Sequence, residues 1–368
     1  MRGQDEVDNC TPSLSSRKQL FSNTASRRSS RRFTPYGRTP KSRQLKGKNH
    51  EILSNGTAEK SRPRDRRSAV ETDEEHESNL KGLTNKSWKL FKMTPLYKFN
   101  TESSQLKKYS SQLSAHIEAE RQKGLFIDNA TSSKAYISTY KGLRVSAADK
   151  EAVQILIKGR NRGGFGDETV LLTCLLCSVE MEHNPVEPKL RDKFAYYPLL
   201  MVKGLVSLTD GLITWMQSHF DCVITPMIFS AHDLAWMVAM WSGTTTEPVH
   251  KSKPVELLYK TPTDCKGIDK ITFTIESTDV KDLWDRIHDD KGSEFSSEEV
   301  TMFINSLESH FHSLFRVKLS ALQLYSVGTS LSYIGDVGRL KIFSADHVLW
   351  ILRYLTVLSL EHFTQSCS

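Results

Sequence analysis

A short basic, glycine-rich segment contains the residue types best suited to bind an anion. It runs from Lys158 to Gly166 as Lys-Gly-Arg-Asn-Arg-Gly-Gly-Phe-Gly, between predicted strands at 153–158 and from 170 onward. Glycines let backbone N–H groups approach an anion, and Lys158, Arg160 and Arg162 carry charges that neutralise phosphates. We predict that these three residues contact a nucleic-acid backbone. The alternative, an ordinary exposed loop, stays open.

This segment does not have the pattern of a nucleotide-binding loop. It lacks a GK[ST] ending and a GxGxxG motif, and it leads into a strand rather than a helix. Phosphates held by this segment would therefore belong to a nucleic acid rather than to a mononucleotide cofactor.

Potential metal ligands and catalytic residues do not form a known constellation. Cys174 and Cys177 lie three apart in an apolar run that favours a buried strand, so they should face opposite sides. His310 and His312 would point about 200° apart around a helix. The sequence contains neither HExxH nor GxSxG. We expect no metal, no cofactor, no small-molecule substrate and no catalysis.

The N-terminal region differs in composition from the rest of the chain. Residues 1–67 contain 17 Lys or Arg against 6 Asp or Glu, and they contain no tryptophan. Such a segment buries too little apolar surface to offset its chain entropy, so we predict a disordered basic tail over 1–82. Its arginine clusters at 27–32 and 62–67 suit nuclear import or phosphate contact, and a solvated tail without one task is the alternative. Candidate phosphorylation sites are Ser29, Ser30, Thr34 and Thr39.

The apolar stretch 215–241 forms the predicted centre of the folded part. Leu234, Met237, Val238 and Trp241 follow helical spacing, after a possible capping box that begins at Ser230. The preceding segment predicts another helix and a short strand, so a helix-strand-helix unit lies within a mixed core. The apolar run is too short to span a bilayer, and we expect no membrane contact.

The remaining patterns predict an α+β fold, in which a mixed, largely antiparallel sheet packs with helices. A helical period ends at Gly124, and a capping box at Ser296 and Glu299 begins a later helix. No apolar signal segment opens the chain, and its six cysteines are scattered, so we expect an intracellular protein. We assign the folded domain to 83–368. Further strands are predicted at 135–140, 270–275, 317–327, 330–334 and 339–343, and a further helix at 280–287.

The last predicted helix, 347–363, is apolar on most faces. Val348, Leu349, Leu352 and Leu355 either pack on the chain's own sheet or bind a second chain. The sequence leaves both readings open, and the second would place partner binding in the C-terminal half, about 210–368.

Several short segments carry a family resemblance through their order and spacing. They are 88–99, ending in Thr-Pro-Leu-Tyr-Lys-Phe; 120–124, Glu-Arg-Gln-Lys-Gly; 215–222, ending in Phe-Asp-Cys; 236–241, Trp-Met-Val-Ala-Met-Trp; 283–288; and 309–321. Together they resemble the centromere protein L family over about 88–361. The residues before about 83 show no comparable match.

This resemblance implies a non-catalytic subunit of the constitutive inner-kinetochore network in the nucleus. Family members pair with centromere protein N through the C-terminal halves of both chains, beside other inner-kinetochore subunits. The pair presents a basic groove to centromeric nucleosome DNA. A competing hypothesis is a nuclear nucleic-acid-binding protein in which the basic tail binds and the core serves only as a scaffold.

Overall fold

The computed structural model of the chain describes residues 65–124, 130–146, 149–161, 168–181, 184, 186–243, 253–262, 267–288 and 295–366. The strands within these ranges are β1 (Ser87–Met93), β2 (Leu96–Tyr97), β3 (Ala130–Tyr140), β4 (Ala152–Asn161), β5 (Thr169–Cys177), β6 (Phe194–Ala195), β7 (Leu199–Gly204), β8 (Ile224–Pro226), β9 (Val255–Lys260), β10 (Lys270–Ile275), β11 (Gln323–Gly328), β12 (Ser332–Gly335) and β13 (Arg339–Ile342). The helices are α1 (Asp65–Leu83), α2 (Ser103–Gln122), α3 (Val206–Phe220), α4 (Ala231–Gly243), α5 (Ser277–Ile287), α6 (Ser297–Phe315) and α7 (Val348–Ser366).

Eleven of the strands form one antiparallel sheet. Its order is β10-β9-β11-β12-β13-β1-β7-β5-β4-β3, and β8 pairs with β1 outside this path. Strands β2 and β6 form a separate pair. The predicted α+β fold with a largely antiparallel sheet is therefore confirmed.

Strand β1 joins two halves of the sheet. Its beginning pairs with β13 and its end with β8 along one edge, while β7 pairs along the other edge. Between β13 and β8, the Leu90 N–H donates to the Gly338 carbonyl oxygen at 2.8 Å, and the Leu90 carbonyl oxygen accepts from Met227 N–H at 3.0 Å. Gly338 has φ 72°, and a Cβ there would lie 2.5 Å from the Met227 carbonyl oxygen, so only glycine fits.

Helices cover opposite faces of the two halves. In the N-terminal half, formed by β3, β4, β5 and β7, helices α2 and α3 pack on one face through Leu113, Leu212 and Phe220. In the C-terminal half, formed by β9 to β13, helices α4 to α7 pack on the other face. Each half therefore has a covered face, and the open face of the C-terminal half lies on the same side of the sheet as α2 and α3.

The central helix α4 forms where the apolar spacing predicts it. Its predicted core residues Leu234, Met237, Val238 and Trp241 are buried. Asp233 accepts from the Ser230 backbone N–H at 2.7 Å, and Asp233 N–H donates to Ser230 Oγ at 3.1 Å. These reciprocal bonds satisfy N–H groups at the start of the helix.

Two segments differ from the sequence predictions. Helix α1 occupies part of the range assigned to the tail, and its C-terminal end packs on the fold: Leu83 is buried, and Tyr140 donates its hydroxyl to the Asn79 carbonyl oxygen at 2.7 Å. The predicted strand 317–327 is wrong in its first part, where a 3-10 helix, Leu319–Ala321, precedes β11. This turn lets Leu319 enter the core, which a straight strand from 317 would not do.

Candidate nucleic-acid interface

Five basic side chains share the open face of the C-terminal half, which we call the basic face. Alternation along each strand sends buried side chains toward the helices and the intervening residues outward. The register puts Lys89 opposite Arg339 and Lys260 opposite Lys270, and all four residues are exposed. The fifth, Lys341, is partly buried and follows on β13. The basic face is Lys89, Lys260, Lys270, Arg339 and Lys341.

Two like-charge pairs on one sheet face have an energetic cost. Residues directly opposite in an antiparallel pair have Cβ atoms about 4.5–5.5 Å apart, and like charges there destabilise the pairing. Lys89 with Arg339 and Lys260 with Lys270 are such pairs. A bound polyanion would relieve the repulsion at both positions, because each phosphate attracts both members of a pair.

Aromatic rings lie among these cations. The Lys260 ammonium is 5.9 Å from the Tyr325 ring centroid, and the Lys341 ammonium is 5.4 Å from that of Phe343. Lys253, just before β9, lies 3.5 Å from the same Phe343 ring. Cation–π attraction at these distances holds flexible lysine side chains over the sheet.

Small residues, together with Tyr333, occupy the centre of the basic face, and Ser326, Gly328 and Gly335 are buried there. Gly328 and Gly335 are neighbours of Tyr333 and Ser326 across β11 and β12. A Cβ on Gly328 would lie 3.5 Å from Glu256 Cβ, so this glycine and the carboxylate share the same side. The exposed carboxylate of Glu256 therefore lies on the same face as the cations.

The protein environment also perturbs charges near the basic face. Burial raises the pKa of Asp336, and the positive charge of Lys260 opposes that rise. At the start of β1, burial lowers the pKa of Lys86, and repulsion from Lys203 lowers it further. Lys203 follows Val202, which faces α2 and α3, so Lys203 points away from the basic face.

The predicted basic loop lies elsewhere. Lys158 is on β4, opposite Lys134, and its ammonium is 5.2 Å from the Tyr136 ring centroid. The buried Ile157 beside it faces α2 and α3, so Lys158 points to the other side of the sheet from the basic face. Arg160 pairs in β4 with Ser132, but its side chain lies outside the described residues, as does the whole of Arg162.

Sequence reasoning missed the basic face. Its five residues are spread over four short strands with apolar residues between them, and a search for clustered charges does not find them. The available signal was alternation, as in Arg-Leu-Lys-Ile at 339–342 and Lys-Ile-Thr-Phe-Thr-Ile at 270–275, where polar and apolar residues take turns.

Helix α7 packs on the chain's own sheet. Val348, Leu352 and Leu355 are fully buried, and Leu349 is partly buried against the same core. Ser359 donates its hydroxyl to the Pro198 carbonyl oxygen at 2.8 Å. In this arrangement, a partner would reach the three buried residues only after α7 left the sheet.

The two outer strands of the sheet differ in what covers their outward edges. At β3, Ser114 Oγ accepts from Ala135 N–H and Ser110 Oγ from Ile137 N–H, each at 2.9 Å, so α2 satisfies edge donors. At the other end, β10 pairs with β9 and meets no further strand in the part of the chain that the structure describes.

The remaining sequence predictions concern metals, membranes and modification. Cys174 and Cys177 are buried in different core clusters, as alternation requires, and burial raises the pKa of Cys177 to about 12, so its thiol is unreactive. Across the described ranges, no group of three or more His, Cys, Asp or Glu could hold a metal ion, and no helix is long and apolar enough to cross a membrane. The candidate phosphorylation sites Ser29, Ser30, Thr34 and Thr39 lie outside the described residues.

Comparison with known proteins gives one consistent result. The sequence model of the centromere protein L family matches residues 82–360. Centromere protein L of Rattus norvegicus is 36% identical over 282 residues, covering 76% of this chain and 79% of the relative. The Homo sapiens protein is 36% identical over 282 residues, covering 76% and 80%. The Danio rerio protein is 26% identical over 304 residues, covering 80% of each chain.

Proposed function

Because the chain belongs to the centromere protein L family, we propose that it is a non-catalytic inner-kinetochore subunit that pairs with centromere protein N and binds centromeric nucleosome DNA. Membership makes it a centromere protein. Its nuclear and kinetochore location, its partners and its DNA contact are the proposed part. We keep residues 83–368 as the proposed domain, with partner binding in about 210–368.

The basic face is the observation that carries the DNA contact. Cross-strand pairs of like charge, Lys89 with Arg339 and Lys260 with Lys270, cost folding energy that phosphates would recover. The proposed contact uses the face of the sheet, and it includes no element that would enter a groove to read base edges. Contacts of this kind read phosphates and shape, so binding should tolerate sequence and weaken steeply with salt.

The experiment compares salt slopes for the full chain in complex with centromere protein N. Fluorescence anisotropy on a labelled duplex, between about 50 and 200 mM salt, gives log K against log salt. Replacing Lys89, Lys260 and Lys341 by Gln should flatten the slope by about 2.7, because each phosphate contact contributes about 0.9. A triple of exposed lysines on α2 or directly after it, Lys107, Lys108 and Lys123, lies over the N-terminal half of the sheet and should leave the slope unchanged.

A second triple tests the loop predicted from the sequence. If replacing Lys158, Arg160 and Arg162 by Ala flattens the slope while the basic-face triple does not, the DNA contact belongs to the loop. If the basic-face triple alone acts, the loop is an ordinary exposed turn.

The basic tail supports a second candidate function. The excess of 17 Lys or Arg over 6 Asp or Glu in residues 1–67 is enough for salt-dependent, sequence-independent binding by the tail alone. Deleting residues 1–67 separates the candidates, since loss of DNA affinity with pairing intact would favour the tail. Phosphorylation at Ser29, Ser30, Thr34 or Thr39 would then weaken binding, because each phosphate removes about 1.5–2 positive charges.

For pairing with centromere protein N, we propose the open edge of β10 as the contact. The burial of Val348, Leu352 and Leu355 argues against those side chains as the first contact, because they already stabilise the monomer. An edge strand offers backbone N–H and C=O groups to a strand of another chain. Strand β10 also lies within the C-terminal half, where family members pair.

A further inference from the structure

A small cavity lies between α4 and α7, on the helix-covered side of the C-terminal half. It has a volume of about 300 Å³. Three ring side chains and two carboxylates share its lining with two aliphatic residues. They are His232, Trp236 and Tyr354; Asp233 and Glu361; and Val357 and Leu358.

The rings hold their positions through contacts within the chain. Trp236 Nε1–H donates to His232 Nε2 at 2.8 Å, so His232 accepts as a neutral imidazole. The two ring centroids are 6.1 Å apart, with planes inclined at 74°. Because the residues lie one helical turn apart and Trp236 also packs on the core, the indole is oriented before any ligand arrives.

The carboxylates give the cavity a negative potential. Asp233 is fixed at the first turn of α4, where it accepts from the Ser230 backbone N–H and hydroxyl at 2.7 and 2.9 Å. Burial raises the pKa of Tyr354, and the negative charges of Asp233 and Glu361 raise it further. Both carboxylates therefore act on the phenol that lines the cavity, and their negative charge favours a cation over an anion.

We propose that this cavity binds a methylated ammonium group, such as that of a trimethylated lysine side chain. Aromatic rings attract a cation through their negative faces, and this preference is used wherever quaternary ammonium groups are recognised. N-methyl groups remove the N–H donors that would need partners, and they contact the aliphatic floor of Val357 and Leu358. An unmethylated ammonium is more strongly hydrated, so it would lose more solvation free energy on contact with the rings and the two aliphatic residues.

Isothermal titration of the full chain with free Nε-trimethyllysine, lysine and choline tests this assignment. Trimethyllysine should bind about 3- to 30-fold more tightly than lysine, the range that one to several cation–π contacts provide. Choline carries the same cation without an amino-acid backbone. The tighter of the two methylated probes identifies whether the natural source is a protein side chain or a small molecule.

Two variants locate the binding in this cavity. Trp236→Leu should abolish the preference for trimethyllysine, whereas Trp350→Leu, also a partly buried tryptophan but outside the cavity lining, should keep it. Glu361→Gln should weaken binding about three- to tenfold, because it removes one charge beside the cation. Glu102→Gln is its matched control, an exposed carboxylate before α2.

Equal affinity for lysine and trimethyllysine would overturn the proposal, as would a preference that survives Glu361→Gln and Trp236→Leu together. Because Trp236 packs on the core, circular dichroism checks that its variant folds, and the exposed Glu361 supplies a test that does not depend on packing. These readouts involve none of the basic-face residues, so they are independent of the DNA contact.

Discussion

The two outer strands of the sheet differ in whether their outward backbone N–H groups have hydrogen-bond partners. At β3, two serine hydroxyls one turn apart on α2 take up the outward N–H groups of Ala135 and Ile137. At β10, the described residues supply no equivalent cover. An edge with its donors satisfied cannot readily add a strand, whereas an edge with free donors and acceptors is a template for one. This difference is the reason why we propose the edge of β10, and not that of β3, as the partner contact.

We expect the largest loss of stability from a charge buried between α7 and the sheet. The same variant tests the comparison, because it shows whether α7 serves to stabilise the fold or to bind the partner. Leu355→Asp buries a carboxylate at a fully buried position, which should cost about 4 kcal/mol or more. The urea midpoint, followed by circular dichroism, should fall sharply. The urea midpoint of Leu349→Asp, at a partly buried position on the same helix, should fall less.

A Leu355→Asp chain that folds normally yet fails to bind centromere protein N would contradict this expectation. It would return the partner surface to α7 and remove the reason for placing it at β10.

An intermediate effect should follow loss of the cover on β3. The double variant Ser110→Ala and Ser114→Ala leaves two edge N–H groups without partners, at about 1–2 kcal/mol each, so unfolding free energy should fall by about 2–4 kcal/mol. Ser111→Ala is the matched control, since its hydroxyl donates only to the Lys107 carbonyl oxygen of the same helix. The unfolding midpoint of this control should change little. Equal losses of unfolding free energy in both variants would show that the two serine hydroxyls do not stabilise the β3 edge.

The smallest expected effect is a change in amide hydrogen-exchange rates, which compares the two edges residue by residue. Outward amides of 270–275 should exchange fast in the isolated chain and slow by about tenfold or more in the complex with centromere protein N. The amides of Ala135 and Ile137 should exchange at the same rate in both samples, because α2 already binds them. Hydrogen exchange read by NMR checks this, and unchanged rates in β10 would place the partner elsewhere.

Local signals in the sequence predicted local structure well. The capping box at Ser296 and Glu299 is present, with bonds of 2.8 and 3.2 Å, and α6 follows it. Helix α5 also forms where Val280 and Trp284 predict it, and both residues are buried. These patterns succeed because the interacting residues lie within one or two turns of each other.

Features assembled from distant strands could not be predicted in the same way. Lys89 and Arg339 become neighbours only through the pairing of β1 with β13, so no window of the sequence contains both. The direction of α7 is a different case, because a helix that is apolar on most faces does not show which face meets the sheet. Helix α1 has few apolar residues, and its last turns are fixed by contacts such as Asn79 with Tyr140.

The position of β1 in the sheet has a consequence for how the molecule is made. Trp88 and its register partner Leu340 are separated by about 250 residues, so β1 leaves the ribosome long before β13 exists. At roughly 5–20 residues per second, that delay is on the order of 10–50 s. During synthesis the N-terminal half can assemble around β1, β7 and β8, but the first residues of β1, Ser87 to Lys89, lack their partners on one edge until β13 arrives. Completion of the sheet is therefore a late step, which waits for the synthesis of the C-terminal strands.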